Sequence, residues 1–306
     1  METTLKSIIS LILIFLCFNS NAGLRVASYN IRNFDYDTRS NTRTNKNHLV
    51  NTIKAMNADL MAIQEINEQE EFKSMISNKF KNRYKTTLST CGGFSQQKLG
   101  FIYDKNKLQL MNFKEDVRTS KPGRTDVSHE VMCVTGSRPL AIATFKNKLT
   151  NEKIVVISVH LKAGGKDSSI KKRFKQHNII NDVVAKLARN GLNNVIILGD
   201  FNSTEYSLKR DSHQRFKASV KSLNAIDTTE QLQCSSYWWG GADDSKQYPS
   251  VLDHILISRN LLKGKTYSTE VFGHCKQLAC KVTYESEMGT GFDEVSDHCP
   301  VLTEIK

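Results

Sequence analysis

Short apolar runs recur along the chain, and each ends at, or starts just after, a polar residue that can bind a metal ion or a phosphate. Short runs rich in Val and Ile are typical of buried β-strands. The polar residues at these predicted strand edges are Asn30, Glu65, His160, Asp200 with Asn202, Asp253, and Asp297 with His298. An enclosed sheet whose strands share a polar edge is a common way to build a cleft. The pattern therefore predicts one site assembled from several strands.

Helical periodicity separates the strands and divides the chain into two similar halves. Apolar residues at helical spacing predict helices over 48–56, 70–80 and 170–187. Strands are predicted over 26–29, 60–64, 99–103, 108–113, 140–145, 154–159, 195–198, 251–257 and 300–305. Asn30 and Glu65 belong to the first half and the other site residues to the second. A shared site therefore requires the halves to pack face to face within one domain.

The place of each polar residue relative to its strand also predicts strand direction. Asn30, Glu65, His160 and Asp200 follow their strands, whereas Asp253 and the pair at 297–298 precede theirs. To meet at one edge, the last two strands must run opposite to their neighbours. This excludes an all-parallel barrel and predicts an α/β fold with two stacked mixed β-sheets and helices outside.

The first 22 residues have the pattern of a signal peptide. Lys6 gives a basic start, residues 8–18 are apolar, and Ser20 and Ala22 are small residues at the positions that a signal peptidase inspects. The apolar run is too short for a membrane-spanning helix. We expect cleavage after Ala22, with an uncleaved anchor as the alternative. The expected product is a secreted or periplasmic protein with a single catalytic domain over 23–306.

Six cysteines follow the predicted signal peptide, and an exported protein can oxidise them to as many as three disulfides. The sequence does not fix the connectivity. Cys275 and Cys280 are close together in a polar stretch and form the favoured pair. Cys299 follows His298 directly, and a small buried residue at a strand start is the favoured interpretation over a thiol nucleophile.

The chain carries a formal net charge of +12, which favours polyanionic partners such as nucleic acid or anionic surfaces. Lys171, Lys172 and Arg173 form part of a basic patch near His160. This patch is either a solvated helix face or a substrate-binding surface. The pair Trp238–Trp239 is either a surface anchor or a plug of the local core.

The acidic and amide residues of the predicted site suit a hard metal ion. Asn30, Glu65 and Asp297 offer oxygen ligands without a thiolate, which favours Mg²⁺, Mn²⁺ or Ca²⁺ over zinc. Mg²⁺ is usually bound by one or two carboxylates together with substrate phosphate oxygens. We therefore expect Mg²⁺ on Glu65 and Asp297, with Mn²⁺ or Ca²⁺ as alternatives.

The remaining residues match the needs of phosphodiester hydrolysis. His160 and His298 can take a proton from water and give one to the leaving oxygen. Asp253 can hold one imidazole in the required tautomer, and Arg138 offers a charged fork for a phosphate. Each residue alone has a structural alternative, because single histidines and aspartates at strand ends often serve only packing or capping.

Six motifs resemble the endonuclease/exonuclease/phosphatase superfamily, which includes deoxyribonuclease I and exonuclease III. They begin at Ser28 (SYNIRNF), Ala58 (ADLMAIQEI), Ser158 (SVHLKAGG), Leu198 (LGDFNS), Leu252 (LDHILIS) and Ser296 (SDHCPV). The resemblance spans nearly the whole predicted mature chain. It implies a four-layer α/β/β/α sandwich and metal-dependent cleavage of phosphoesters.

The resemblance also implies roles for individual residues. Asn30, Glu65 and Asp297 would surround Mg²⁺, and Asp200 and Asn202 would contact the phosphate. His160 and His298 would act as acid and base, with Asp253 orienting His298. Deoxyribonuclease I pairs its first histidine with a glutamate, whereas the matching stretch here offers Gln97, a neutral amide.

The superfamily uses one site for several phosphoester substrates, so the fold does not choose among them. Export, basic charge and possible disulfides favour a monomeric endonuclease of the deoxyribonuclease I type that acts on double-stranded DNA without a membrane anchor. A secreted sphingomyelinase-type phospholipase C is the alternative enzyme, with Trp238–Trp239 as its only candidate for membrane entry. A non-catalytic binding or toxin subunit is the third possibility, although no expected ligand or histidine is missing.

Overall fold

The computed structural model describes residues 23–124, 126, 128–203 and 211–306. The predicted signal peptide, residues 1–22, lies outside this part of the chain. Within the described residues, no helix combines the length and apolar character needed to cross a membrane.

Strands dominate the described part of the chain. They are β1 (Leu24–Phe34), β2 (Tyr36–Asp37), β3 (Thr42–Arg43), β4 (Leu60–Ile66), β5 (Tyr84–Leu88), β6 (Lys98–Asp104), β7 (Leu108–Asp116), β8 (Leu140–Asn147), β9 (Lys153–His160), β10 (Val195–Asp200), β11 (Ala225–Asp227), β12 (Ser236–Trp238), β13 (Lys246–Ser250), β14 (Asp253–Ser258), β15 (Tyr267–Val271), β16 (Thr283–Tyr284) and β17 (Val301–Ile305).

The α-helices of the same residues connect or cover these strands. They are α1 (Lys46–Met56), α2 (Gln69–Lys79), α3 (His129–Thr135), α4 (Asp167–Arg189), α5 (Asp211–Ser222), α6 (Gly273–Gln277) and α7 (Thr290–Glu294). The predicted helices over 48–56, 70–80 and 170–187 correspond to α1, α2 and α4. Asn45 caps the start of α1 with a side-chain oxygen that accepts from the amide of His48.

Two six-stranded mixed sheets form the centre of the fold. The first has the order β15-β17-β1-β4-β6-β5 and the second the order β11-β14-β10-β9-β8-β7. β1 and β4 are parallel, as are β9 and β10, whereas β17 runs antiparallel to β1 and β14 antiparallel to β10. The predicted reversal of the last two strands is therefore confirmed, and so is the pair of mixed sheets.

The apolar side chains form three layers of core. One cluster lies between the sheets and includes Val26, Phe101, Phe145 and Ile196. A second packs α1 and α2 on the outer face of the first sheet, and a third packs α4 and α5 on the outer face of the second. Because both faces of each sheet are covered, the central strands are apolar throughout rather than alternating. The four-layer α/β/β/α sandwich is confirmed.

The predicted strand over 251–257 starts two residues late, as β14 at Asp253. Ser235 Oγ accepts from the backbone amides of both Leu252 and Asp253, each at 2.9 Å, so the chain leaves the ladder at that point. The small sheet β12-β13-β16 was not predicted from the sequence. Its strands have two to five residues, and β13 contains Pro249, which weakens the strand pattern.

Three disulfides join Cys91 to Cys133, Cys234 to Cys280, and Cys275 to Cys299. The expected number is confirmed, but the favoured Cys275–Cys280 pair is wrong. Cys275 lies on α6, buried against the residue that precedes β17, whereas Cys280 follows that helix and turns toward the start of the small sheet. Cys299 is buried as expected, yet it is a disulfide cysteine rather than a free thiol.

Candidate active site

The two sheets place the predicted site residues side by side. On the second sheet, Asp200 at the end of β10 lies opposite His160 on β9 and opposite Asp253 on β14. On the first sheet, Asn30 of β1 pairs with the residue before Glu65 on β4. Asn30, His160, Asp200 and Asp253 are each at most 3% exposed. One buried polar cluster therefore spans the two halves of the chain.

Asp200 lies at the centre of this cluster. Its Oδ2 atom accepts from Asn30 Nδ2 at 3.1 Å and lies 3.1 Å from His160 Nε2 and 3.7 Å from His298 Nε2. Its Oδ1 accepts from the backbone amide of Asn202 at 2.8 Å. Burial opposes ionisation of Asp200, but the charges of both imidazoles outweigh it and hold the pKa of this carboxyl well below its usual range.

Glu65 occupies an irregular position in its strand. Its φ of 63° is left-handed, and the pairing of β4 with β6 shifts register around it. Such a conformation is unfavourable for a side chain with a Cβ, and residues like this often mark functional sites. The carboxylate accepts from Asn30 Nδ2 at 3.1 Å and from Gln97 Nε2 at 2.6 Å. Gln97 therefore orients Glu65. The resemblance to deoxyribonuclease I offers Gln97 as a partner of His160, but its side chain contacts Glu65 and Asn33 instead.

His298 is oriented by a buried carboxylate. Its Nδ1 lies 2.8 Å from Asp253 Oδ2, which also accepts from Ser235 Oγ at 2.9 Å. Burial lowers the pKa of His298, but Asp253 and Asp200 raise it more, so the net pKa lies well above the ordinary histidine value. The predicted partnership of Asp253 with His298 is present in the structure, and Ser235 is an additional member of it.

His160 has a cationic neighbour in place of a carboxylate on Nδ1. Arg138 Nε donates to His160 Nδ1 at 3.1 Å, and a terminal guanidinium nitrogen contacts both ring nitrogens. Arg138 Nε can only donate and the Asp200 carboxylate can only accept, which favours Nδ1 as the acceptor and Nε2, 3.1 Å from Asp200 Oδ2, as the nitrogen that carries the proton. Burial lowers the pKa of Arg138, although Glu65 and Asp200 counteract this. The same guanidinium approaches Glu65 Oε1 to 4.0 Å.

The basic residues of α4 are divided between the surface and the interior. Lys171 is exposed and Lys172 is half-buried. Burial lowers the pKa of Lys172, and the positive charges of Lys162, Lys121 and Arg138 lower it further. Arg173 is 1% exposed and donates to the carbonyls of Lys162 and Gly164, so it shapes the loop after His160 instead of facing the solvent. Its predicted place among the substrate-facing cations is not supported.

The model of the Endonuclease/Exonuclease/phosphatase family matches residues 27–298. The chain belongs to this family.

Several solved structures share the fold. An endonuclease/exonuclease/phosphatase from Bacteroides vulgatus aligns with a TM-score of 0.63 at 15% identity, covering 93% of this chain and 98% of that one. The human nocturnin catalytic domain with bound sulfate aligns with a TM-score of 0.62 at 14% identity, and the alignment covers 93% of this chain and 94% of that one. D. rerio TDP2 complexed with a single-strand DNA product aligns with a TM-score of 0.59 at 15% identity, and the alignment covers 94% of this chain and 100% of that one. Such low identities establish the fold alone. No curated protein sequence matches the chain.

Enzymes of the endonuclease/exonuclease/phosphatase family typically use divalent metals, and the donor set of this chain fits such an ion. Asp297 is partly exposed and accepts no hydrogen bond from another described side chain. Burial raises the pKa of Asp297; the positive charge of His298 opposes this, the negative charge of Glu65 adds to it, and the net pKa is raised. Two carboxylates that destabilise each other's charge are stabilised by a shared cation. The buried group that could hold an ion in the described residues is Asp200, Asp253 and His298, whereas the metal role of Asn30, Glu65 and Asp297 stays a prediction.

Ser235 was not found by sequence reasoning. It belongs to a Ser-rich loop, and its contact with Asp253 depends on the bridge between Ser236 and His298 that closes this loop onto the start of β17. His254, in contrast, is a structural residue. It is fully buried, and its Nδ1 lies 2.9 Å from Asp227 Oδ2 on the far side of β14.

Proposed function

We propose that this member of the endonuclease/exonuclease/phosphatase family is an exported, Mg²⁺-dependent endonuclease of the deoxyribonuclease I type that hydrolyses DNA as a monomer. The observation that carries the proposal is the position of one carboxylate oxygen, Asp200 Oδ2, between His160, His298 and Asn30. Two imidazoles that face a common point beside a cluster of oxygen ligands match the needs of phosphodiester hydrolysis.

The partner on each Nδ1 suggests how the two histidines divide the work. Asp253 raises the basicity of His298, so the deprotonated form of this ring is the one whose Nε2 can accept a proton from the attacking water. Arg138 keeps the proton of His160 on Nε2, where it can stabilise a phosphate oxygen or protonate the leaving oxygen. Asp200 lies between the two rings and stabilises the charge that passes from one to the other.

A divalent cation held by Asn30, Glu65 and Asp297 would polarise the phosphate and offset its charge. Neighbouring residues hold the carboxylate of Glu65 in a fixed orientation in the absence of an ion. Gln97 and the amide of Asn33 bind Glu65 Oε2, at 2.6 and 3.2 Å, so that its other oxygen faces Asn30 and the site. Arg138, with its Nη2 4.0 Å from Glu65 Oε1, supplies the nearest fixed positive charge for a second phosphate oxygen.

Charge and export support a nucleic acid as the substrate. The chain has a net charge of +12, and the three disulfides suit an oxidising compartment. In addition to burial, the charges of Lys162, Lys121 and Arg138 each act on Lys172 and lower its pKa. Mutual repulsion among four cations is relieved by a polyanion such as DNA.

The decisive experiment offers purified protein three substrates, namely plasmid DNA, RNA and sphingomyelin vesicles, each with and without a chelator. We expect metal-dependent cleavage of DNA, abolished by the chelator and restored by Mg²⁺ or Mn²⁺. Full activity after exhaustive metal removal contradicts the metal assignment. Hydrolysis of vesicles without cleavage of nucleic acid replaces the nuclease with the lipid enzyme.

A second test examines the basic surface of α4. Charge reversal by Lys171→Glu together with Lys172→Glu should lower DNA cleavage by about tenfold at low salt, because fewer condensed counterions are released on binding. Cleavage of a small phosphodiester should be nearly unchanged. The matched control, Lys186→Glu with Arg189→Glu, reverses charge at the far end of the same helix. Equal losses in both variants would show that only the overall charge matters.

A further inference from the structure

We propose that the small sheet β12-β13-β16 carries an aromatic surface on which unpaired nucleobases of a single-stranded substrate stack. This inference rests on the proposed function and specifies the form of its substrate. The surface consists of Trp238, Tyr248, Tyr284 and Lys246, and the exposed Trp239 follows Trp238 directly in the chain. Trp238 and Trp239 are the only tryptophans in the chain.

Strand register places these side chains on one face. Trp238 is paired with Tyr248, and Lys246 is paired with Tyr284. Directly paired residues of antiparallel strands share a face, and so do residues two apart, such as Lys246 and Tyr248. Burial follows the same alternation, since Trp238 and Tyr284 are 43% and 52% exposed, whereas the intervening Tyr237 is 1% exposed. One face of the sheet is therefore core and the other is open and aromatic.

The open face is attached rigidly to the catalytic residues. Ser236 of β12 forms a β-bridge with His298, and the amide of Tyr237 donates to the carbonyl of Asp297 at 2.9 Å. The Cys234–Cys280 disulfide ties the segment before β12 to the segment before β16. Trp238 follows these contacts immediately. At about 3.3 Å per residue, the aromatic surface begins about 7 Å along the strand from the bridge to His298.

The chemistry of the face favours bases over a lipid bilayer. Its side chains end in hydroxyl, indole N–H and ammonium groups, and Tyr248 donates to Asp244 at 2.6 Å. Lys246 Nζ lies 5.6 Å from the centre of the Tyr284 ring, which puts a phosphate-binding cation beside a stacking ring. Rings of this kind stack on any base. Bases within a duplex already stack on each other, so the partner is an unpaired segment that leads into the catalytic site.

Intrinsic fluorescence tests the surface directly, because Trp238 belongs to it and Trp239, the other tryptophan, is the next residue in the chain. We expect an oligothymidylate to quench the fluorescence of the His160→Ala protein, which binds without cleavage, and a blunt duplex of equal length to quench it far less. Tyr284→Ala should weaken oligothymidylate binding by about tenfold, within the range for loss of one stacked base, and Tyr284→Phe should restore it. Tyr267→Ala, a half-exposed tyrosine on β15, is the control.

Cleavage provides the second measurement. In the Trp238→Ala/Trp239→Ala variant, KM for single-stranded DNA should rise at least about tenfold, with a much smaller change for duplex DNA. Absence of quenching, or equal effects on both substrates, overturns the inference while nuclease activity itself remains. A blue shift with sphingomyelin vesicles and no response to oligothymidylate assigns the face to lipid and overturns it as well. Quenching without cleavage of any nucleic acid by the wild type would instead contradict the proposed function.

Discussion

Two buried histidine–aspartate pairs share strand β14 and differ in what lies beyond the imidazole. His298 Nδ1 lies 2.8 Å from Asp253, and His254 Nδ1 lies 2.9 Å from Asp227. The Nε2 atom of His298 faces Asp200, where a substrate can enter, whereas the Nε2 atom of His254 bonds to Ser203 Oγ at 2.6 Å. The paired geometry is therefore no mark of catalysis, and the group that faces the second ring nitrogen decides the role.

Packing separates the two pairs further. The His254 ring lies 4.8 Å from the Phe216 ring and 5.5 Å from the Phe201 ring, measured between centroids, and is fully buried. His298 keeps 7% of its surface exposed toward the site. Burial alone would raise the pKa of Asp227, but its partner His254 holds that pKa low. The two side chains therefore stabilise each other within the core.

The largest expected effect concerns His298 of the solvent-facing pair His298–Asp253, here called the open pair, and its neighbour His160. His298→Ala and His160→Ala should each lower the rate of DNA cleavage at least about a hundredfold, the usual scale for a positioned proton-transfer group. The thermal unfolding midpoint should fall for His298→Ala, because the buried Asp253 loses its hydrogen-bond partner, so rates are compared per folded molecule. His129→Ala, an exposed histidine on α3, is the control for loss of an imidazole. Near-normal turnover by either folded variant would make that histidine a structural residue.

The fully enclosed pair His254–Asp227, here called the closed pair, should affect stability and leave turnover nearly unchanged. His254→Ala leaves the buried Asp227 carboxylate without its hydrogen-bond partner, which should cost about 3 kcal/mol of unfolding free energy. The turnover rate per folded molecule should stay within about twofold of the wild type. Urea denaturation and active-site-normalised kinetics measure the two quantities. A loss of turnover without a loss of stability would contradict the division between the pairs.

Residues at strand edges were predictable because apolar periodicity fixes both the strand and the point where it stops. Asn30, Asp200 and Asp253 come together by that rule. The same periodicity also explains the error at Arg173, since it lies three residues from Ile170 and four from His177 on the buried face of α4. That spacing was available in the sequence, but the basic patch around Arg173 was interpreted by charge alone.

Contacts between distant loops were beyond the sequence. Ser235 reaches Asp253, and Gln97 reaches Glu65, only because loops close over the sheet edges. The prediction of the disulfide pairing is wrong for the same reason. The spacing of Cys275 and Cys280 in the sequence does not show in which direction each side chain points. Sequence patterns describe elements well, whereas loop closure depends on the packed structure.

The smallest expected effect is a pH dependence of stability beside the closed pair. His177 stacks on Phe201 at 5.9 Å and meets Phe216 edge-on at 5.4 Å, and its Nδ1 has no hydrogen-bond partner within the described residues. Burial lowers the pKa of His177 from 6.5 to about 3, and the positive charges of Arg173 and His254 lower it further.

The direction of this dependence follows from proton uptake. Between pH 6.5 and about 3, the unfolded chain binds a proton on His177 that the folded protein excludes, so stability falls as the pH falls. One proton corresponds to at most about 1.4 kcal/mol per pH unit. His177→Phe keeps the ring and removes the titration, so its unfolding free energy should decline less steeply between pH 6 and pH 4. Urea titrations of both proteins across this range measure the difference. Parallel curves would mean that His177 is protonated in the folded protein, which contradicts its neutral, buried state.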